Sequence, residues 1–185
     1  MHFVRKASLA IAALVVATGS SIAADVGPAA TTPLPIVEAP SPAPFEWGGW
    51  YMGVYSATTI PLPSDFSGVL GGVLGYDVAI ADRFVAGISI AAHMGVGSFN
   101  RTDGQLNLRA GFLIADRLLA YGRIAVGTGQ HLVPFSHNYW YYSFGAEVAL
   151  GTNWSLFSEL GWLRGFGSTS SEFVLVAGFN WRLRR

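Results

Sequence analysis

Apolar and polar positions alternate along most of this chain. From Tyr142 every second residue is apolar (Tyr142, Phe144, Ala146, Val148, Leu150), and after Gly151-Thr152-Asn153 the pattern resumes with Trp154, Leu156, Ser158, Leu160 and Trp162. Between them stand Ser143, Gly145, Glu147 and Ala149, then Ser155, Phe157, Glu159 and Gly161, a set made mostly of small or charged residues. A period of two is that of a strand, so the stretch predicts two long strands joined by a tight turn. The small and charged set suits a narrow interior, and the apolar set then faces lipid.

The same alternation recurs at hairpin spacing. Ile80-Ala81-Asp82-Arg83 is repeated as Ile114-Ala115-Asp116-Arg117, 34 residues on, and Gly151-Thr152-Asn153 marks a third short turn. Breaks rich in Gly, Ser, Asn or Pro fall near residues 58–65, 97–103, 129–138 and 167–171. Strands are therefore expected at about 49–57, 66–80, 83–96, 104–115, 118–128, 139–151, 154–166 and 172–183. The fold class is all-β: an eight-stranded antiparallel up-and-down transmembrane β-barrel. Short turns and both termini belong on the periplasmic side, with longer loops outside.

Composition explains why such a barrel would sit in a membrane. The chain of 185 residues is 51% hydrophobic and only 12% charged, about half the charged share of a soluble domain. No apolar run after the N-terminus reaches the roughly 20 residues of a membrane helix. A closed barrel is the other structure that satisfies its backbone in lipid. Cysteine is absent, which removes disulfides and thiolate chemistry.

Residues 1–24 read as a cleaved secretory signal: Arg5 and Lys6, an apolar run from Ala7 to Ala17, and a small-residue site at Ser21-Ile22-Ala23, with cleavage after Ala23 or Ala24. Residues 25–44 hold six of the nine prolines and read as a periplasmic spacer, leaving 45–185 for the barrel. At Phe45 the composition turns aromatic and Gly-rich, the expected start of the first strand region. Without Arg5 and Lys6, nine arginines face eleven acids. That balance disfavours nucleic-acid partners.

Carried through every strand, the alternation puts Asp77, Ser89, His93, Gln105, Asn107, Arg109, Arg123, Glu147, Glu159, Asn180 and Arg182 inside. Opposite charges in a narrow interior must pair to offset desolvation, so a lumen polar network of Arg109, Arg123, Glu147 and Glu159 is expected. Two aromatic belts are expected outside: Trp50, Phe84, Trp154 and Trp181 at the periplasmic end, and Phe99, Trp140 and Trp162 at the outer end. No catalytic, cofactor-binding or metal-binding residues are assigned. Ser136-His137 offers a nucleophile and a base, but neither a nucleophile elbow nor an adjacent carboxylate accompanies it. A soluble lipocalin-like binder is the competing architecture and would need a polar exterior.

The entry motif Trp47-Gly48-Gly49-Trp50-Tyr51-Met52-Gly53 resembles the W-x-G-x-Y-x-G opening of the small alphaproteobacterial outer-membrane porin-family barrels, related to opacity-type and OmpA-type eight-stranded barrels. Gly145-Ala146-Glu147-Val148, then Thr152-Asn153-Trp154-Ser155-Leu156 and Glu159-Leu160, is similar to that family's G-x-G-x-E-Y and N-W-S-L-x-x-E-Y hairpin, with Leu160 in place of Tyr. Residues 176–183 resemble the C-terminal assembly signal of such barrels, overrun by Arg184 and Arg185. The resemblance implies outer-membrane lipid as surroundings, the barrel assembly machinery as a partner in biogenesis, and a structural or surface-interaction role in a Gram-negative envelope. A small-solute porin is the alternative and a lipid-modifying enzyme the third. A peptidoglycan or host-surface contact stays open.

Overall fold

The computed structural model describes residues 45–60, 68–96, 102–129, 138–167, 169 and 171–183. The expected leader and spacer, Phe99, Ser136-His137 and Arg184-Arg185 lie outside them. Eight strands run in chain order: β1 (Gly49–Ile60), β2 (Gly68–Ala81), β3 (Phe84–Val96), β4 (Thr102–Ala115), β5 (Leu118–Gly129), β6 (Asn138–Ala149), β7 (Trp154–Gly165) and β8 (Ser171–Arg182). Each pairs antiparallel with its neighbour, and β8 closes on β1.

Closure has a definite stagger. The register runs Trp50, Tyr76, Ile88, Leu108, Ile124, Tyr142, Trp162, Phe173 and returns to β1 at Ile60, ten residues from its start. Every residue on that spiral is large and apolar, because a period of two keeps each of them on the outer face. The strands must tilt to produce such a stagger, and no edge remains for another chain to pair with.

Two short turns carry the repeated Ile-Ala-Asp-Arg sequence, and in both the register shifts just before the turn, between Ala79 and Ala81 and between Leu113 and Ala115. The carbonyls of Arg83, Arg117 and Asn153 accept backbone bonds from Leu113, Ala149 and Arg182. Trp50 O does the same for Leu183 N. One hydrogen bond thus ties each hairpin to the next around this end of the barrel, here called the turn end. Asn153 adds a side-chain bond, its Nδ2 donating to Arg182 O at 3.0 Å.

Strand limits differ from the sequence reading by one to three residues, and three of the differences bear on the lumen and the turns. β1 continues to Ile60, since Thr58, Thr59 and Ile60 pair with Leu175, Val174 and Phe173 of β8. β4 begins at Thr102, which brings Asp103 from the expected loop onto the inner face. β6 stops at Ala149, where Leu150 N donates to Trp154 O at 2.9 Å and closes the turn.

Candidate functional site: the filled lumen

Four charged residues form a square across the barrel near the turn end. Asp77 on β2, Arg109 on β4, Glu147 on β6 and Arg182 on β8 occupy every second strand, so acidic and basic side chains alternate around the lumen. Arg109 donates from Nε to Asp77 Oδ1 at 2.9 Å and from Nη1 to Glu147 Oε2 at 2.8 Å, and its Nη2 also pairs with Asp77. Arg182 donates from Nη1 to Asp77 Oδ2 at 2.8 Å and approaches Glu147 Oε1 with Nη2 at 3.4 Å. Ser155 Oγ and Asn180 Nδ2 donate to Glu147 as well, at 2.5 and 3.0 Å. The two guanidiniums balance the two carboxylates, and fork geometry lets each arginine hold both acids. Glu147 is 0% exposed; only this density of donors makes a carboxylate tolerable there.

Gly87 makes room for the square. A Cβ at that position would strike the Asp77 carboxylate. Arg109 also lies over the Tyr51 ring at 4.6 Å.

A second cluster sits further toward the loops. Arg123 Nη2 pairs with Glu159 Oε1 at 2.6 Å, and Glu159 accepts further bonds from the hydroxyls of Tyr121 (2.5 Å), Tyr141 (3.2 Å) and Ser143 (2.9 Å). The expected network of Arg109, Arg123, Glu147 and Glu159 is therefore divided. Arg109 and Glu147 join Asp77 and Arg182, while Arg123 and Glu159 form their own cluster with tyrosines. The two groups sit at different heights along the barrel, and Tyr121 and Phe157 lie beside Arg123, at 5.9 and 6.0 Å from its guanidinium.

Nearest the loops, His93 lies between two phenols. Tyr55 Oη is 3.0 Å from Nδ1, Tyr139 Oη is 3.3 Å from Nε2, and Asp103 Oδ2 is 3.6 Å from Nε2. Ser89 and Asn107 are buried in the lumen as well, with Asn107 Nδ2 donating to Ser89 O at 3.3 Å.

The inward tyrosines escaped the sequence reading. Tyr51, Tyr55 and Tyr139 lie directly across from Gly75, Gly71 and Gly127, and a Cβ on any of those glycines would meet the ring. Tyr141 covers Gly161 in the same way. Glycine paired with tyrosine fills a narrow lumen to packing density without widening the barrel, the pairing known to protect strand glycines. Strict alternation from Trp50 and Trp140 already implies inward Tyr51, Tyr139 and Tyr141.

The turn end is closed by the chain preceding β1. Phe45 and Trp47 are not part of that strand; they are buried against Val85, Leu119, Tyr121 and Ala149. Trp47 Nε1 donates to Asp116 O at 3.0 Å, and its carbonyl accepts from Arg182 Nη1 at 2.5 Å. The Arg182 guanidinium lies 5.4 Å from the Phe45 ring and 5.3 Å from Trp47. Gly49, at φ 110°, occupies the backbone region open to glycine and lets the chain turn from this stopper into β1.

Outside, Trp50, Phe84, Trp154 and Trp181 face outward near the turn end, and Trp140 and Trp162 near the loop end. Trp154 and Trp181 stack at 5.9 Å across β7 and β8, while Trp140 stacks on Phe166 at 5.2 Å. Between them the outer face carries Leu74, Ile88, Leu106, Leu108, Ile124 and Phe144, all exposed.

This combination, a closed up-and-down barrel of eight strands with apolar residues outward and charges inward, is shared with transmembrane β-barrels. A de novo designed transmembrane β-barrel is similar over 76% of this chain and 100% of its own, with a TM-score of 0.52 and 11% identity. The N-terminal β-barrel domain of Pseudomonas aeruginosa OprF is similar over 74% of this chain and 99% of that domain, with a TM-score of 0.53 and 13% identity. No protein-family model and no curated protein matches the sequence.

Proposed function

We propose that this chain is an outer-membrane β-barrel of a Gram-negative envelope, exported by a cleaved leader, with a structural or surface-interaction role and no catalytic one. The observation that carries this reading is a lumen filled with side chains inside an apolar outer face. Exposed apolar area on this scale far exceeds the few hundred Å² usual for a soluble monomer, and lipid removes the cost. The charge square and the stopper oppose passage of solutes from the turn end. The carboxylates Glu147 and Glu159, which in isolation look like an acid and base pair, are each held by arginines and hydroxyls. Membership of the alphaproteobacterial porin-family barrels is supported by the Trp47–Gly53 and Gly145–Leu160 motifs.

Membrane fractionation and planar-bilayer recording test the reading together. Folded protein is expected in outer membranes, without sustained conductance. Recovery in the soluble periplasm removes the membrane assignment. Sustained conductance that is lost in Arg109→Ala replaces the structural role with that of a small-solute porin.

A further inference from the structure

Where the outer face of the barrel nears the loops, a groove of about 690 Å³ crosses β3, β4, β5 and β6. Ile90 and Leu106 stand on one side of it, and Trp140, stacked on Phe166 at 5.2 Å, on the other. Gly104 and Val126 lie between. Gly104 keeps the groove open, since it holds an outward position between Ala92 and Thr128 where a Cβ would meet nothing within 4 Å.

The groove has a direction. Ile90, Leu106, Val126, Trp140 and Arg164 form one row of the register. The stagger that closes the barrel carries such a row toward the loop end with each successive strand, so Ile90 is its deepest member and Arg164 its highest. On its deep side the groove is continuous with the outer spiral, where Ile88, Leu108 and Ile124 form the next outward row. At its high end the chemistry changes. Thr128 and Asn138 are exposed and face each other across β5 and β6. Among the described residues Arg164 is the only charged side chain at an outward position of the loop end, because His93, Asp103 and Glu172 alternate to the inner face.

We infer that this groove is a binding site for one membrane lipid with a net-anionic phosphate headgroup, its acyl chain lying between Leu106 and Trp140 and its phosphate at Arg164. Continuity with the apolar spiral dictates a hydrocarbon occupant below the aromatic belt, and the lone outward cation dictates the sign of the head above it. A guanidinium matches phosphate by donating two parallel N–H bonds. The inference rests on the membrane reading proposed above and adds to it a fixed place and a lipid class.

The test uses the chain folded into phosphatidylcholine nanodiscs, with methyl NMR following Ile90, Leu106 and Val126 in the groove and Val54 and Leu175 on the opposite side of the outer face. Phosphatidylglycerol and phosphatidylcholine, each with a nitroxide on its acyl chain, are added in turn. Labelled phosphatidylglycerol is expected to broaden the groove methyls saturably, at a concentration about five-fold lower than labelled phosphatidylcholine requires, the preference one arginine confers near a membrane surface. Val54 and Leu175 should broaden without saturation and alike for both lipids. Arg164→Gln, at an exposed position, should remove the preference while the barrel stays folded. Gly104→Leu, whose side chain enters open space, should make the groove methyls behave like Val54. The inference is overturned, with the membrane assignment intact, by an equal response to the two lipids, by uniform broadening of both sides, by an undiminished preference in Arg164→Gln, or by groove methyls shielded from both labels, which would assign the groove to a second copy of the chain. A chain that does not enter the bilayer removes the membrane assignment and the site together.

Discussion

Arg109 and Arg182 stand on β4 and β8, half the barrel apart, and share both of their carboxylate partners, Asp77 and Glu147. Each acid is therefore held from two sides. Removing one arginine leaves two buried carboxylates facing a single guanidinium.

Arg109→Met is accordingly expected to destabilise the folded barrel by about 3–5 kcal/mol, the cost of stranding a buried charge. The double variant Arg109→Met with Asp77→Leu restores neutrality and leaves Arg182 with Glu147. Its loss should be smaller than the sum of the single losses by more than about 1 kcal/mol. Urea unfolding of the four proteins in micelles measures this coupling. Additive losses would show that Arg109 and Asp77 contribute to stability without acting through each other.

The stopper and the square block the lumen in series. Trp47→Ala removes a large buried ring and should cost about 3–5 kcal/mol. Ion conductance should remain absent, because Arg109, Arg182, Asp77 and Glu147 still span the barrel. Conductance is expected only when Trp47→Ala is combined with loss of the square, as in Arg109→Ala with Asp77→Ala. Single-channel recording of the single and combined variants distinguishes serial from single-layer closure. An open channel in Trp47→Ala alone would assign the closure to the stopper.

The barrel was legible in the sequence because its information is one-dimensional. The period of two, the duplicated Ile-Ala-Asp-Arg turn and the girdle tryptophans all survive without knowledge of which strands are neighbours. The polar inward positions followed from the same counting, including Asp77, Arg109, Glu147 and Arg182. What escaped depends on the stagger. That Asp77 and Arg182 complete the square, while Arg123 belongs with Glu159, follows from heights along the axis that alternation does not encode. The stopper escaped for another reason. Trp47 sits within the aromatic entry motif, and nothing in that pattern separates a side chain that faces lipid from one folded back into the mouth.

Tyrosine and glycine across the inner ladder are expected to behave as single units. Gly75→Val places a branched side chain where the Tyr51 ring lies, and overpacking of this kind costs about 1–3 kcal/mol or prevents closure. Adding Tyr51→Ala should recover much of the folded fraction by vacating that space. Gly72, whose outward Cβ would meet only one backbone atom at 3.8 Å, should tolerate Val with little change. Folded fraction and urea midpoint for these variants separate lumen crowding from a general intolerance of β-branching.

Position along the outer face sets the last expectation. Leu108 lies midway along β4 on the apolar spiral, whereas Ile80 lies beside the turn end. In a bilayer, arginine near the midplane costs about 2–4 kcal/mol and near the interface about 0–1. Leu108→Arg should therefore destabilise the barrel in phosphatidylcholine vesicles by several times as much as Ile80→Arg. Both side chains are exposed, Leu108 at 54% and Ile80 at 67%, so burial within the protein predicts no such difference. Equal costs in vesicles would contradict a membrane midplane at Leu108. A gradient that appears in vesicles and is absent for the same variants in urea-free aqueous solubility would locate the lipid on this face.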